Sequence, residues 1–302
     1  MKQLVIKGLV FLLIALLLSA CGSVVTQPEK SGEITLVDGL GRTVTLPSPA
    51  QRIVTLAPSL SEVLFAVGAG PQLVGRHSFA SYPEEVQAVV DIGGSMGTYS
   101  IETITSLQPD LVIAAEINTP EQVKTLEDLG LRVFYLSNPD DLDGLYGMLE
   151  TVGELTGHEA EVKQLNVSLK ERVKKVLRLV EKAETVPLVF YELDGTDPAR
   201  PWTSGPGTFL DELIRIAGGK NVGSGLTGEW AQISTEELLV QNPDIILLGD
   251  SIYGMTPEQV ATRTGWDGLK AVKEGRVYAF NDDLVSLPGP RLVDGLEELA
   301  GM

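Results

Sequence analysis

The chain has 302 residues, 43% hydrophobic and 21% charged, a balance that gives a globular fold rather than a disordered chain. Acids outnumber bases 41 to 23, for a net charge of −18, which excludes the basic surfaces on which nucleic acids are held. One cysteine and two histidines exclude an internal disulfide and a multi-histidine metal centre within one chain.

The first 20 residues open with Lys2 and Lys7, run through an aliphatic stretch from Gly8 to Leu18, and end on small residues. This is the layout of an export signal, too short for a membrane-spanning helix of roughly 20 apolar residues. The tetrad Leu18-Ser19-Ala20-Cys21 resembles a bacterial lipobox, in which the cysteine becomes the lipidated first residue of the mature protein. An ordinary signal peptide with an incidental cysteine is the alternative. Residues 21–32, with their Gly, Ser and Pro, read as a flexible tether. Without the signal, 21 bases face 41 acids.

Short apolar, β-branched runs follow, in "RIVTLA", "QLVGR", "PDLVIAA" and "LRVFYL", and again in "PLVFYEL", "PDIILLG" and "RVYAFN". Helical patterns separate them, among them "LSEVLFAVGA", "TPEQVKTLEDLG" and "GTFLDELIRIAGG". Alternation of this kind predicts α/β units with mainly parallel sheets. From Glu159 to Glu184 there is no strand signal, no Gly and no Pro, and Val162, Leu165, Leu169, Val173, Val176, Leu177 and Val180 recur at spacings of three and four. That predicts one long helix with a single buried stripe, about 39 Å long at 1.5 Å per residue. The expected division is a lobe over 33–140, a connector helix region over 141–185 and a second lobe over 186–302.

An internal repeat supports the two lobes. "SIETITSLQPDLVIA" at 100–114 aligns without a gap to "STEELLVQNPDIILL" at 234–248, pairing Ser100 with Ser234, Glu102 with Glu236, Pro109 with Pro243 and Asp110 with Asp244. Each copy reads as a serine-capped helix with a glutamate at its positive end, then a Pro-Asp turn into a buried strand.

Catalytic chemistry is thin. "GGSMG" around Ser95 fits a nucleophile-elbow pattern, but the acyl-transfer machinery needs a histidine base, and His158 is the only one downstream. No catalytic residue and no resident metal or cofactor is assigned. Aromatics are few, and several fall in loops just after strands: Phe79, Tyr82, Tyr99, Trp202 and Trp230. Ends of strands in open α/β sheets are where ligands bind, so these side chains are placed across an apolar cleft.

From "RIVTLAPSLSEVLFAVGAG" to its end the chain resembles the substrate-binding proteins of ABC importers whose two lobes are bridged by one long helix, the class that delivers vitamin B12, ferric siderophores and haem. "YPEEV", "IETITSLQPDLVIA", "WTSGPGTFLDELIRIAGGKN" and "EWAQISTEELL" are similar to the B12-binding branch. The resemblance implies a monomer of two Rossmann-like lobes, held to the outer face of the cell membrane or in the periplasm through Cys21, that passes a metal chelate to a permease and ATPase complex. It places the two permease-docking carboxylates at Glu102 and Glu236. It places the ligand against Phe79, Met96, Leu193, Trp202, Trp230 and Asp283. Met96, Ala115 and Leu287 stand where the B12 binder has Trp, Trp and Arg, and Leu193 where it has Phe. Cobalamin or a related corrinoid is the expected cargo. A ferric siderophore, with Arg76, Arg200 or Arg291 facing an anionic chelate, is an alternative, as is haem, ligated by Tyr82, Tyr99 or His77. A surface serine hydrolase and a lipoprotein without a ligand are more distant readings.

Overall fold

Two parallel sheets are laid down in succession. The computed structural model describes residues 32–302, so the signal, Cys21 and nearly all of the tether lie outside the described residues. The chain begins with a hairpin of β1 (Ile34–Val37) and β2 (Thr43–Leu46), then β3 (Ile53–Thr55), α1 (Pro58–Ala66), β4 (Leu73–Arg76), β5 (Val90–Asp91), α2 (Ile101–Ser106), β6 (Leu111–Ala114), α3 (Pro120–Asp128) and β7 (Val133–Tyr135). Helices α4 (Leu142–Thr156) and α5 (Glu159–Val180) follow. The second half holds β8 (Leu188–Glu192), β9 (Trp202–Ser204), α6 (Phe209–Ile216), β10 (Lys220–Asn221), β11 (Trp230–Gln232), α7 (Thr235–Gln241), β12 (Ile245–Leu248), α8 (Pro257–Ala261), α9 (Lys270–Lys273), β13 (Val277–Ala279), α10 (Asp283–Ser286) and α11 (Leu292–Ala300).

The N-terminal sheet has the order β5-β4-β3-β6-β7 and the C-terminal sheet β10-β8-β12-β13, and every pairing within the two sheets is parallel. Strands covered by helices on both faces read as unbroken apolar runs, and all four residues of β6 and all four of β12 are buried. In each sheet the chain adds strands to one side of the first strand, then crosses to the other. The order therefore reverses between β3 and β6, and between β8 and β12. A ligand crevice opens beyond the carboxyl ends of the strands at such a reversal.

The sequence repeat is a structural repeat. Helices α2 and α7 and strands β6 and β12 begin at matching positions, and both helices are capped by the predicted serine: Ser100 Oγ accepts from Thr103 N at 3.2 Å and Ser234 Oγ from Glu237 N at 3.1 Å. Each turn into the strand passes through a left-handed residue, Gln108 (φ 48°) or Asn242 (φ 53°), and these are the only non-glycine residues at positive φ among the described residues. Each following aspartate then ties down the start of the first strand. Asp110 accepts from Gln51 N (2.8 Å) and Arg52 N (3.0 Å), and Asp244 accepts from Leu188 N (2.8 Å).

The long helix stops at Val180, four residues short of the expected Glu184, with Glu181 as its cap. Along the expected stripe Val162, Leu169, Val173 and Val176 are buried, whereas Leu177 is 43% exposed. Asn166 takes a buried place instead, donating to Tyr146 O at 3.2 Å. Gly157, at φ 78°, closes α4 and lets the chain fold back into α5. One apolar cluster runs from Leu60 and Leu64 of α1 through Leu145 and Leu149 of α4 and Leu169 of α5 to Leu213 of α6 and Leu296 of α11. Smaller clusters fill the outer side of each sheet, around Ile104 and Val112 in one and Phe190 and Trp266 in the other.

Candidate ligand-binding cleft

The carboxyl ends of the N-terminal strands lead into the loops that carry the expected contacts. After β4 the chain runs through His77 to Phe79, and after β5 through Gly93–Tyr99, with Met96 at its tip. The second loop folds on itself, Gly94 N donating to Thr98 O and Gly97 N to Gly94 O, each at 2.8 Å. Gly94 sits at φ 107°, and a Cβ there would lie 2.3 Å from the His77 ring. His77 is 3% exposed; burial pushes its imidazole pKa down, and Nδ1 accepts from Phe79 N at 3.0 Å. The ring is therefore neutral and packs against Phe79 and Tyr99, with centroids 5.6 Å and 6.0 Å away. The Tyr99 hydroxyl donates to Leu56 O (2.8 Å) and accepts from Asn118 Nδ2 (2.7 Å). This network pins the loops after β3, β5 and β6 to one another. It also engages His77 and Tyr99, two of the three side chains considered for iron.

In the C-terminal half, β9 and β11 form a separate antiparallel ribbon in which Trp230 faces Ser204 and Gln232 faces Trp202. Side chains alternate along a strand and directly opposed residues share a face. Trp202, Trp230 and Gln232 therefore emerge on one face, while Thr203 is buried on the other. The tryptophans remain 41% and 52% exposed. Leu193 N donates to Trp202 O at 2.9 Å, which docks the ribbon onto the end of β8. Beneath it, Arg263 donates to both carboxylate oxygens of fully buried Glu192, at 2.5 and 2.8 Å, and its guanidinium lies 4.5 Å from the Trp266 ring centroid. Asp250, at the end of β12, accepts from Gly195 N at 2.9 Å. Burial pushes both carboxyls up from their usual range, Arg263 opposing it. Tyr191 donates to Asp282 at 2.7 Å beside the start of α10, and burial raises that carboxyl too.

A cavity of about 220 Å³ lies among these strand ends, bounded by Glu116, Asn138 and Asp140 of the N-terminal half and by Phe209, Glu229, Trp230 and Ser286 of the other. Of the expected contacts Trp230 lines it. Phe79 (63% exposed), Met96 (89%) and Trp202 stand open on the neighbouring loops and ribbon. Leu193 is partly buried against the main core, and Asp283 sits in the first turn of α10. The cavity lining holds carboxylates and no cation. Arg76 is 7% exposed and donates to His77 O and Ser78 O. Arg200 pairs with Asp197 at 3.7 Å, and Arg291 with Glu62 at 2.6 Å. Glu116, Asp140 and Glu229 were not singled out by the sequence, although Glu116 lies two residues past the repeated strand. A larger cavity, about 540 Å³, lies at the opposite end of the second sheet, at the starts of β8, β12 and β13. Glu102 and Glu236 are exposed in the first turns of α2 and α7, and neither carboxylate has an ion-pair or hydrogen-bond partner among the described residues.

Residues 53–284 match the family described as periplasmic binding protein. An uncharacterized ABC transporter substrate-binding lipoprotein of Bacillus subtilis is 34% identical over 96% of this chain and 93% of its own. A cobalamin-binding protein of Halobacterium salinarum is 29% identical over 93% of this chain and 74% of its own. Among solved structures, a periplasmic haem-binding protein from Roseiflexus sp. RS-1 in apo form aligns with a TM-score of 0.74 at 27% identity, covering 83% of this chain and 97% of that one. These are binding proteins rather than enzymes, and the hydrolase reading of Ser95 falls with them. The two α/β halves, the bridging helix and the match over most of the chain place it in the periplasmic binding protein family, as a substrate-binding protein of the ABC-transporter type.

Proposed function

We propose that the protein captures cobalamin or a related corrinoid between its two sheets and delivers it to an ABC permease, working outside the cytoplasm and moored to the membrane through lipidated Cys21. The observation that carries this reading is that Trp202 and Trp230 stand diagonally on one face of the ribbon, beside a cavity lined by carboxylates without a cation. Aromatic faces suit a broad, flat macrocycle, and the amide-bearing rim of a corrinoid offers donors to carboxylates. The propionates of haem and the anionic oxygens of ferric siderophores call for arginines; Arg76 and Arg291 are engaged elsewhere, and Arg200, exposed beside Asp197, does not line the cavity. At about 220 Å³ the enclosed cavity is below the 300–1,000 Å³ of typical ligand pockets. A corrinoid would lie mostly over the open loops bearing Phe79 and Met96. Glu102 and Glu236, unpaired and at equivalent places of the repeat, suit docking onto two matching arginine-bearing faces of a permease.

Titrating tryptophan fluorescence with cyanocobalamin, dicyanocobinamide, haemin and a ferric siderophore tests the cargo. Three tryptophans emit, and Trp266 is fully buried, so a corrinoid in the cleft should quench the other two saturably and leave a residual signal. Saturation with haemin alone reassigns the cargo to haem, and the absence of saturation with either corrinoid refutes the proposal. For the anchor, Cys21→Ser should release the protein from the membrane fraction.

A further inference from the structure

Glu62 and Arg291 are separated by 229 residues, one on α1 and the other just before α11, yet the Arg291 guanidinium donates to Glu62 Oε2 at 2.6 Å. Their side chains are 4% and 13% exposed, and the guanidinium carbon lies 4.2 Å from the Tyr82 ring centroid. Gly289 packs close by: a Cβ there would stand 3.3 Å from Glu62 Oε1. The second sheet's segment is thus held against the first helix of the other half by charge, by stacking on an aromatic ring and by close backbone approach. The same segment faces the ligand cavity. Val285, Ser286, Pro288 and Leu292, on either side of this contact, line it together with Trp230.

We infer that Glu62, Arg291 and Tyr82 form a clasp between the halves that positions segment 285–292 and so sets the width of the cleft. Ligand affinity then depends on residues that do not touch the ligand. The clasp rests on the cleft assignment above, but its geometry can be read without any ligand. Breaking one partner leaves a buried charge unpaired, whereas replacing both with apolar side chains of similar length removes the ion pair and the stacking on Tyr82 without stranding a charge.

The informative variant is therefore the double substitution Glu62→Met with Arg291→Met, made in the full chain with Cys21→Ser. For the ligand-free distances spin labels are placed on cysteines at exposed positions 90 and 286, the second on the segment itself, and affinity is measured on the unlabelled protein. Without ligand, the label-to-label distance distribution should broaden relative to the parent, with the thermal midpoint and circular dichroism retained. If the binding-competent arrangement falls to about a tenth of the population, cyanocobalamin affinity falls about tenfold. Arg291→Lys keeps the charge but loses the flat face over Tyr82, and should move both readouts less and in the same direction. This milder variant decides the matter if the double one does not fold. An unchanged distance distribution in a folded variant overturns the clasp, as does a broadened one with unchanged affinity. If the parent binds no corrinoid, the cargo assignment fails, while the ligand-free distances still decide the clasp.

Discussion

Removing the Trp230 side chain tests the cleft most directly. Its ring is 52% exposed, and the strand that carries it is held to β9 by backbone pairing, so Trp230→Ala leaves the fold intact. A buried tryptophan covers about 150–250 Å², so a ligand that closes over its open half removes on the order of 100 Å² from water. At about 25 cal/mol per Å² that is about 2.5 kcal/mol, or several tens-fold in affinity. Trp202→Ala, starting from a less exposed ring, should lose somewhat less. Titration calorimetry with cyanocobalamin measures both. A contrasting substitution, Trp266→Phe, removes a fully buried ring lying under Arg263 and should lower stability with little change in affinity. If Trp230→Ala and Trp202→Ala both bind within about twofold of the parent, about 0.4 kcal/mol, the tryptophans do not form the ligand platform.

Further substitutions separate local strain, ionisation and docking. Gly94→Ala would force a Cβ to within 2.3 Å of a buried histidine at φ 107° and should cost about 2–5 kcal/mol in denaturant unfolding. Gly97→Ala, at φ 71° with open space around it, should cost only about 1 kcal/mol; equal losses would refute the contact argument. Asp282 is held above the usual carboxylate range by burial, so its contribution to stability is fully present below the unfolded value of about 3.9 and is lost as pH rises through the raised value. Asp282→Asn should therefore gain on the parent as pH rises from the unfolded value of about 3.9 in guanidinium unfolding, and a gap that does not widen above that value is the contrary result. Glu102→Lys with Glu236→Lys should abolish cellular uptake of labelled corrinoid while leaving its affinity in solution unchanged; persistent uptake removes both residues from docking.

What was legible in the sequence was what has a local cause. Serine caps, a proline after each repeated helix and an apolar strand announce the duplicated unit because each acts within a few residues. The aspartates at 110 and 244 were visible as turn residues. Their work of pinning the first strand of each sheet was not, because the partner amides lie 56–59 residues away in the chain. The spacing of apolar residues in α5 gave the stripe but put Leu177 on it, and could not foresee that Asn166 would be buried by bonding to a neighbouring helix's carbonyl. Aromatics stood out because they are few, but Trp202 and Trp230, expected in loops, stand on the short strands β9 and β11, whose pairing spans 26 to 30 residues of chain and leaves no local signal. The cleft carboxylates did not, since 41 acids leave no way to choose among them by spacing. The pairing of Arg291 with Glu62 had no local signal at all, because the two lie 229 residues apart.

The continuity of the core bears on how the cleft works. A hinge needs a few residues that absorb rotation while the bodies on either side stay packed. Here one apolar cluster includes Leu60 and Leu64 on α1, Leu149 on α4, Val162, Leu169 and Val173 on α5, and Leu213 and Leu296 beyond them. Any large rotation of one sheet against the other would shear that interior, which is packed too densely to deform smoothly. Arg172 on α5 adds ion pairs to Asp294 and Glu297 of α11, each at 2.5 Å, and ties the helix to the second half at its surface as well. Ligand capture is therefore expected to proceed by loop and side-chain adjustment around a preformed crevice. For a compact body of this length the radius of gyration is about 19 Å, and binding should change it by less than about 0.5 Å. Small-angle scattering of free and corrinoid-loaded protein measures that change, and a contraction well beyond it would mean that the core yields where its packing says it should not.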